Sequence, residues 1–101
     1  MSEEMVIFSK TYDFLVWLIP QTMKFPRSQR FIVTKRLQDA ALNFYEKINH
    51  ANKYRDQYRR RYLFAADLEL NAINFYLRLV HKWEWLSDRQ YFYAAQQEQS
   101  E

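Results

Sequence analysis

The sequence predicts an all-α protein, an antiparallel up-down four-helix bundle whose fourth helix is short or truncated. Three observations predict it. Apolar residues recur at spacings of three and four along three long stretches, which is the periodicity of a helix with one buried face. The chain has no glycine and only two prolines, and both prolines lie close together near one break. Hydrophobic residues make up 49% of the chain while mean hydropathy is -0.60, the balance expected when apolar stripes alternate with charged faces. With 101 residues there is room for one core, so a single domain over 1–101 is expected.

The first helix is set by Met5, Phe8, Tyr12, Leu15 and Ile19, which share one helical face. Pro20 lacks an N–H and crowds the carbonyl four residues back, and the helix is expected to kink there and run one more turn towards Lys24. Phe25 precedes Pro26 and is pushed to an extended conformation, while Pro26 suits the first position of the next helix. That second helix is predicted from about Pro26 to about Asn49, on the stripe Val33, Leu37, Ala41, Phe44 and Ile48, with Asn49, His50, Ala51 and Asn52 forming the turn. So short a connection implies an antiparallel neighbour.

The third helix is predicted from roughly Arg55 to Trp85, on a seam of Leu63, Ala66, Leu70, Ile73, Leu77 and Val80. A second apolar set, Phe64, Leu68, Phe75 and Leu79, falls nearly opposite at about 100° per residue. Two readings follow. Either this is the most buried helix of a monomer, or its second face packs against another copy. With three tryptophans, eight tyrosines and eight phenylalanines to hide in so small a bundle, the second reading is a candidate oligomer interface. Ser87 opens the last helix as an N-cap with Gln90 in the capping-box position. Only Phe92 and Ala95, with Tyr91 nearby, then offer an apolar face before the polar tail QQEQSE.

Several chemistries are disfavoured by what is missing. Without glycine the chain cannot form phosphate-cradling loops, serine nucleophile elbows or routine turns at positive φ. Without cysteine there are no disulfides and no thiolate metal sites, which suits a reducing cytoplasm. A di-iron site in a bundle needs Glu-x-x-His pairs, but His50 follows Lys47 and His81 follows Arg78 at that spacing. Asp67 and Glu69 are two apart and diverge on a helix. No catalytic residue, metal or cofactor is expected. The longest apolar run, Phe14 to Ile19, is too short to span a bilayer, and Glu3 and Glu4 stand where a signal peptide carries positive charge. A soluble, cytoplasmic protein with no membrane partner is the expectation.

Positive charge is unevenly placed. Lys24, Arg27, Arg30, Lys35 and Arg36 fall in a window without an acid, and Lys53, Arg55, Arg59, Arg60 and Arg61 are offset only by Asp56. The net charge is +3, but local charge is what attracts phosphate. Tyr54, Tyr58 and Tyr62 interleave with the second cluster, and tyrosine stacks on unpaired bases. Such charge runs are ordinarily solvated helix faces. Here cations at the start of helix three oppose a dipole that prefers anions, which invites a functional reason. The candidate nucleic-acid contacts are therefore Arg27, Arg30, Lys35, Arg36, Lys53, Arg55, Arg59, Arg60 and Arg61. The clusters lie at opposite ends of helix two, roughly 35 Å apart at 1.5 Å per residue, so only an assembly of copies would join them.

The ordered set YDFLVWLIP, KFPRSQRF, NHANKYRD, LELNAINFYLRLV and LSDRQYFYAA resembles the four-helix-bundle family of the accessory variability determinant (Avd) of diversity-generating retroelements. It is similar, more distantly, to proteins encoded within 23S ribosomal RNA intervening sequences. The resemblance covers about Tyr12 to Ala95. It implies a pentameric barrel of four-helix bundles that binds a reverse transcriptase and nucleic acid through basic surfaces and supports mutagenic copying of a template RNA into a target gene. By position it implies phosphate or partner contacts for Arg27, Arg30, Arg36, Arg55, Arg59, Arg60 and Arg61. Members usually continue into a longer fourth helix with a glycine-containing end, whereas this chain stops in QQEQSE. The expected function is a non-enzymatic, oligomeric accessory protein binding RNA or complementary DNA. The alternatives are a protein–protein scaffold, or a stand-alone intervening-sequence-type protein, without nucleic-acid contact.

Overall fold

The computed structural model describes residues 3–99, with side chains over 6–96. Four helices pack together: α1 (Glu3–Thr22), α2 (Lys35–Ala51), α3 (Asp56–Lys82) and α4 (Asp88–Gln99), and there is no strand among the described residues. Each helix runs against its predecessor. Phe8 near the start of α1 meets Tyr45 near the end of α2, while Thr22 at the end of α1 meets Gln38 near the start of α2. At the other edge Trp17 contacts Tyr93 and Gln21 accepts a hydrogen bond from Gln90, so α4 runs antiparallel to α1. α2 and α3 share the most extensive contact. The core joins Phe14 and Leu18 to Phe25, Val33, Leu37, Ala40, Ala41, Ile73, Leu77, Val80, Leu86 and Ala94, so all four helices contribute.

α1 continues past Pro20 to Thr22, short of the full turn expected towards Lys24, and then unwinds through bonds from Met23, Lys24 and Phe25 to carbonyls three residues back. Its buried face differs from the predicted one. Thr11, Phe14 and Leu18 are buried, Leu15 and Trp17 are half-buried, and Tyr12 is 66% exposed. The helix is rotated by about one residue, or about 100°, from the predicted stripe. The run FLVWLI is apolar all round and does not select a face, and the residue that does, Thr11, is polar. Its hydroxyl donates to the Ile7 carbonyl at 2.7 Å, so it enters the core without an unmet bond. Met5 lies outside the described side chains.

The entry to α2 is less regular than the sequence implies. Pro26 is extended (φ -55, ψ 132), Arg27–Gln29 form a 3-10 turn, and Arg30–Thr34 form a π turn in which the Lys35 N–H reaches back to the Arg30 carbonyl. The α-helix proper begins at Lys35, not at Pro26. The predicted stripe still faces inward, with Val33, Leu37, Ala41 and Ile48 buried and Phe44 packed against them. The following turn begins at Asn52, three residues later than expected, because Ala51 is fully buried and holds the last turn in place.

α3 buries Ala66, Ile73, Leu77 and Val80, half-buries Leu70 and leaves Leu63 largely exposed. Its end is a Schellman motif: the Trp85 N–H donates to the Val80 carbonyl at 2.9 Å and the Glu84 N–H to the His81 carbonyl at 3.0 Å. Glu84 takes the left-handed position at φ 64, which glycine ordinarily fills, and Asp56 does the same at φ 58. Positive φ is thus reached without glycine. A left-handed non-glycine costs roughly 1–2 kcal/mol, partly offset by the greater unfolded-state freedom of glycine, so Glu84→Gly is expected to raise unfolding stability by about 0.5–1 kcal/mol in a denaturant titration.

The capping box at α4 forms as predicted: the Ser87 N–H donates to Gln90 Oε1 at 2.8 Å and the Gln90 N–H donates to Ser87 Oγ at 3.2 Å. Ser87→Ala is expected to cost about 1 kcal/mol on the same titration. His81, at the end of α3, meets Asp88 through Nε2 at 2.7 Å and stacks on Tyr91 at 4.2 Å, closing the α3–α4 corner.

Candidate nucleic-acid interface

The first basic cluster is carried by the corner between α1 and α2. Lys24, Arg27 and Arg30 lie in the corner and Lys35 and Arg36 on the first turn of α2, all exposed. That turn contains no acid, so the two cations sit at the positive end of the helix dipole. Lys35 is already committed, its Nζ lying 2.7 Å from Asp39 Oδ2 in an exposed i,i+4 pair. Among the described residues no carboxylate pairs with Arg27, Arg30 or Arg36. Apolar side chains share this surface: Met23 is largely exposed and Phe31 is 80% exposed.

The second cluster occupies the α2–α3 turn and the first turns of α3. Lys53, Arg55, Arg60 and Arg61 are exposed. Arg59 is different. It is half-buried and donates from Nη1 to the Ala51 carbonyl at 3.2 Å, satisfying an end carbonyl of α2 and bracing the corner. Its position is structural as much as cationic.

Around this turn the tyrosines gather. Tyr54 stacks on Tyr62 with centroids 5.4 Å apart and planes at 14°, and Tyr58 leans on Tyr54 at 6.1 Å. Tyr58 and Tyr62 are one α-helical turn apart on α3, which places them on one face beside the turn residue Tyr54. Arg61 lies over the Tyr58 ring at 5.9 Å, within cation–π range. His50 closes the group edge-on against Tyr62 at 5.1 Å. This histidine was not among the predicted contacts. A helix-end position facing the next helix is the signal that finds it. Tyr54 and Tyr58 keep about half their surface in solvent, so the group offers aromatic faces beside unpaired guanidinium groups.

The two clusters remain apart within one copy. The 17 residues of α2 that separate them span about 26 Å at 1.5 Å per residue, in a molecule whose longest dimension is 42 Å. Between them the second face of α3 is open: Phe64 is 67%, Leu68 54% and Phe75 56% exposed, and Leu79 is half-buried. α4 does not cover it. The reading of α3 as a helix buried on both sides within one monomer is therefore not what the chain adopts.

Among the described residues no group of three or more histidine, aspartate or glutamate side chains is placed to hold a metal ion. No described helix is long and apolar enough to cross a membrane. Four packed helices with two separated arginine clusters, an aromatic group beside one of them and an open apolar row between them define a small helical protein whose exposed chemistry is suited to binding. A family model described as bAvd-like matches residues 5–99. The chain belongs to the bAvd-like family, the bacterial Avd proteins. No curated protein and no solved structure matches it.

Proposed function

We propose that this protein is a non-enzymatic accessory component of a diversity-generating retroelement, which assembles through Phe64, Leu68, Phe75 and Leu79, as a pentamer, and holds RNA or complementary DNA beside a reverse transcriptase. Family membership supports the retroelement setting. The observation that carries the nucleic-acid reading is the second cluster, where Arg55, Arg60 and Arg61 have no carboxylate partner among the described residues and stand beside exposed Tyr54 and Tyr58. Guanidinium groups attract the phosphate backbone without regard to sequence, and tyrosine rings stack on unpaired bases. Single-stranded segments are the form that offers both. Any effect on copying then comes from positioning, with no chemical group of the protein's own.

One observation favours a second reading. Met23 and Phe31 are exposed within the first basic cluster, an arrangement that also suits an acidic protein partner with an apolar centre. Gentle purification separates the two. The nucleic-acid reading expects the protein to carry absorbance typical of nucleic acid and to lose it with nuclease or high salt. A low nucleic-acid absorbance, together with partner binding that survives nuclease, supports the scaffold instead.

A further inference from the structure

Three threonines are buried in this protein, and two of them return their hydroxyls to the backbone: Thr11 to Ile7 and Thr22 to Ile19. Thr34 does not. It is 4% exposed, and its Oγ1 has no hydrogen-bond partner among the described residues. Thr34 is the last residue of the π turn that the Lys35 N–H closes on the Arg30 carbonyl, and it lacks the bond that a helical threonine ordinarily makes to the carbonyl three or four residues back. A buried, unmet hydroxyl is costly and calls for an explanation.

Thr34 lies in the wall of a cleft of about 290 Å³ at the α1–α2 corner, with Thr22, Phe25, Arg27, Arg30 and Gln38. Both arginines line the cleft, and the 3-10 turn links them, the Arg30 N–H bonding the Arg27 carbonyl. Among the described residues no acidic one lines the cleft. Thr22 is already satisfied, donating to Ile19 at 2.6 Å and accepting from Gln38 Nε2 at 2.8 Å, which fixes the floor. Two arginines that line the cleft and a threonine in its wall whose buried hydroxyl is unmet, with apolar Phe25 and Pro26 beside them, are the residue types that bind a tetrahedral oxyanion.

We infer that this cleft is a seat for a single phosphate group, gripped by Arg27 and Arg30 and reached by Thr34 through a turn of its χ1 to the other helical rotamer. As a seat for a backbone phosphate it rests on the nucleic-acid reading above, whereas as a seat for free phosphate it stands alone.

The test titrates inorganic phosphate, and separately a short single-stranded RNA, into the full chain while the Thr34 methyl and the Arg27 and Arg30 Nε resonances are followed by NMR. Phosphate is expected to move all three saturably. Thr34→Val, which keeps the branched shape and removes the hydroxyl, is expected to weaken phosphate about tenfold, the worth of one hydrogen bond to a charged group. It should at the same time raise the melting temperature, because the unmet hydroxyl is gone. Thr34→Ser should retain binding. If Thr34→Val binds phosphate as well as the parent, or if the shifts spread over all surface cations alike, the seat does not exist. RNA that moves the Thr34 methyl and competes with phosphate identifies a backbone phosphate as the occupant. RNA that binds without touching Thr34 overturns a backbone phosphate as the occupant and leaves the wider reading intact. Phosphate binding without any RNA binding keeps the seat and overturns the wider reading.

Discussion

Replacing Arg60 and Arg61 together with alanine is expected to weaken RNA binding at least about tenfold and to lower the slope of log affinity against log salt by about 1.4, since each phosphate contact on a single strand contributes about 0.7. Both side chains are exposed and neither has a carboxylate partner among the described residues, so folding should lose little beyond the exposed Arg61–Tyr58 cation–π contact. Stability should fall by less than about 1 kcal/mol, because cations near the start of α3 face the positive end of its dipole and their removal offsets part of that loss. Fluorescence anisotropy with labelled RNA, paired with a thermal melt, reads both quantities. Arg59→Ala is the contrast. It removes the bond to the Ala51 carbonyl and should lower the melting temperature as well as the affinity. Equal loss of stability in the Arg60 and Arg61 variant would place those residues in the fold instead of the interface.

Changing Phe64 and Phe75 to glutamate is expected to reduce the assembly to single chains of 12.6 kDa by light scattering while helical circular dichroism stays unchanged. The reasoning turns on exposure in the isolated copy. These rings are 67% and 56% exposed, so a charge at either site costs the monomer little. In an interface each aromatic anchor is worth about 2 kcal/mol or more, and a buried carboxylate there is uncompensated. The same variant should lose RNA affinity although every basic residue is kept, because joining several patches multiplies affinity by about 10²–10⁴ without any new contact. An unchanged mass would show that this row is not where copies meet. A monomer that binds RNA as tightly as the assembly would show that one patch suffices.

The helical architecture was largely legible in the sequence, and the reasons are local. Ser87 and Gln90 stand at the spacing that lets each bond the other's backbone, and they do. The two apolar stripes of α3, half a turn of helix apart, were legible as separate faces, but which of them the monomer buries was not, and Leu63 at the start of the first is exposed. The face of α1 was not legible. Period counting looks for apolar residues, and the position that decides the rotation is a threonine with an internal partner. The π turn was hidden for a different reason. It lies just before the point where Gln38 bonds Thr22 across the α1–α2 corner, and its residues, RFIVT, carry no code that marks a π turn. The left-handed Asp56 and Glu84 likewise contradict what an absence of glycine suggests.

The candidate site was legible as charge and illegible as geometry. Spacing alone marks Arg60 and Arg61, and the structure leaves them exposed. It cannot separate them from Arg59, which turns inward to a carbonyl, or reveal that Tyr54 crosses the turn to stack on Tyr62. The Lys35–Asp39 pair, by contrast, stands at an i,i+4 spacing that could have been read in advance.

The most direct test of the central claim, that unpaired guanidinium groups on an assembled helical scaffold bind nucleic acid, is the salt dependence of RNA affinity for the parent protein at a concentration where light scattering gives its mass. The expected result is a multi-chain species whose affinity falls by about 10³-fold or more between about 50 mM and about 200 mM salt, as for a surface meeting about seven or more phosphates of a single strand. Affinity that is absent, or that holds steady across that range, would contradict it.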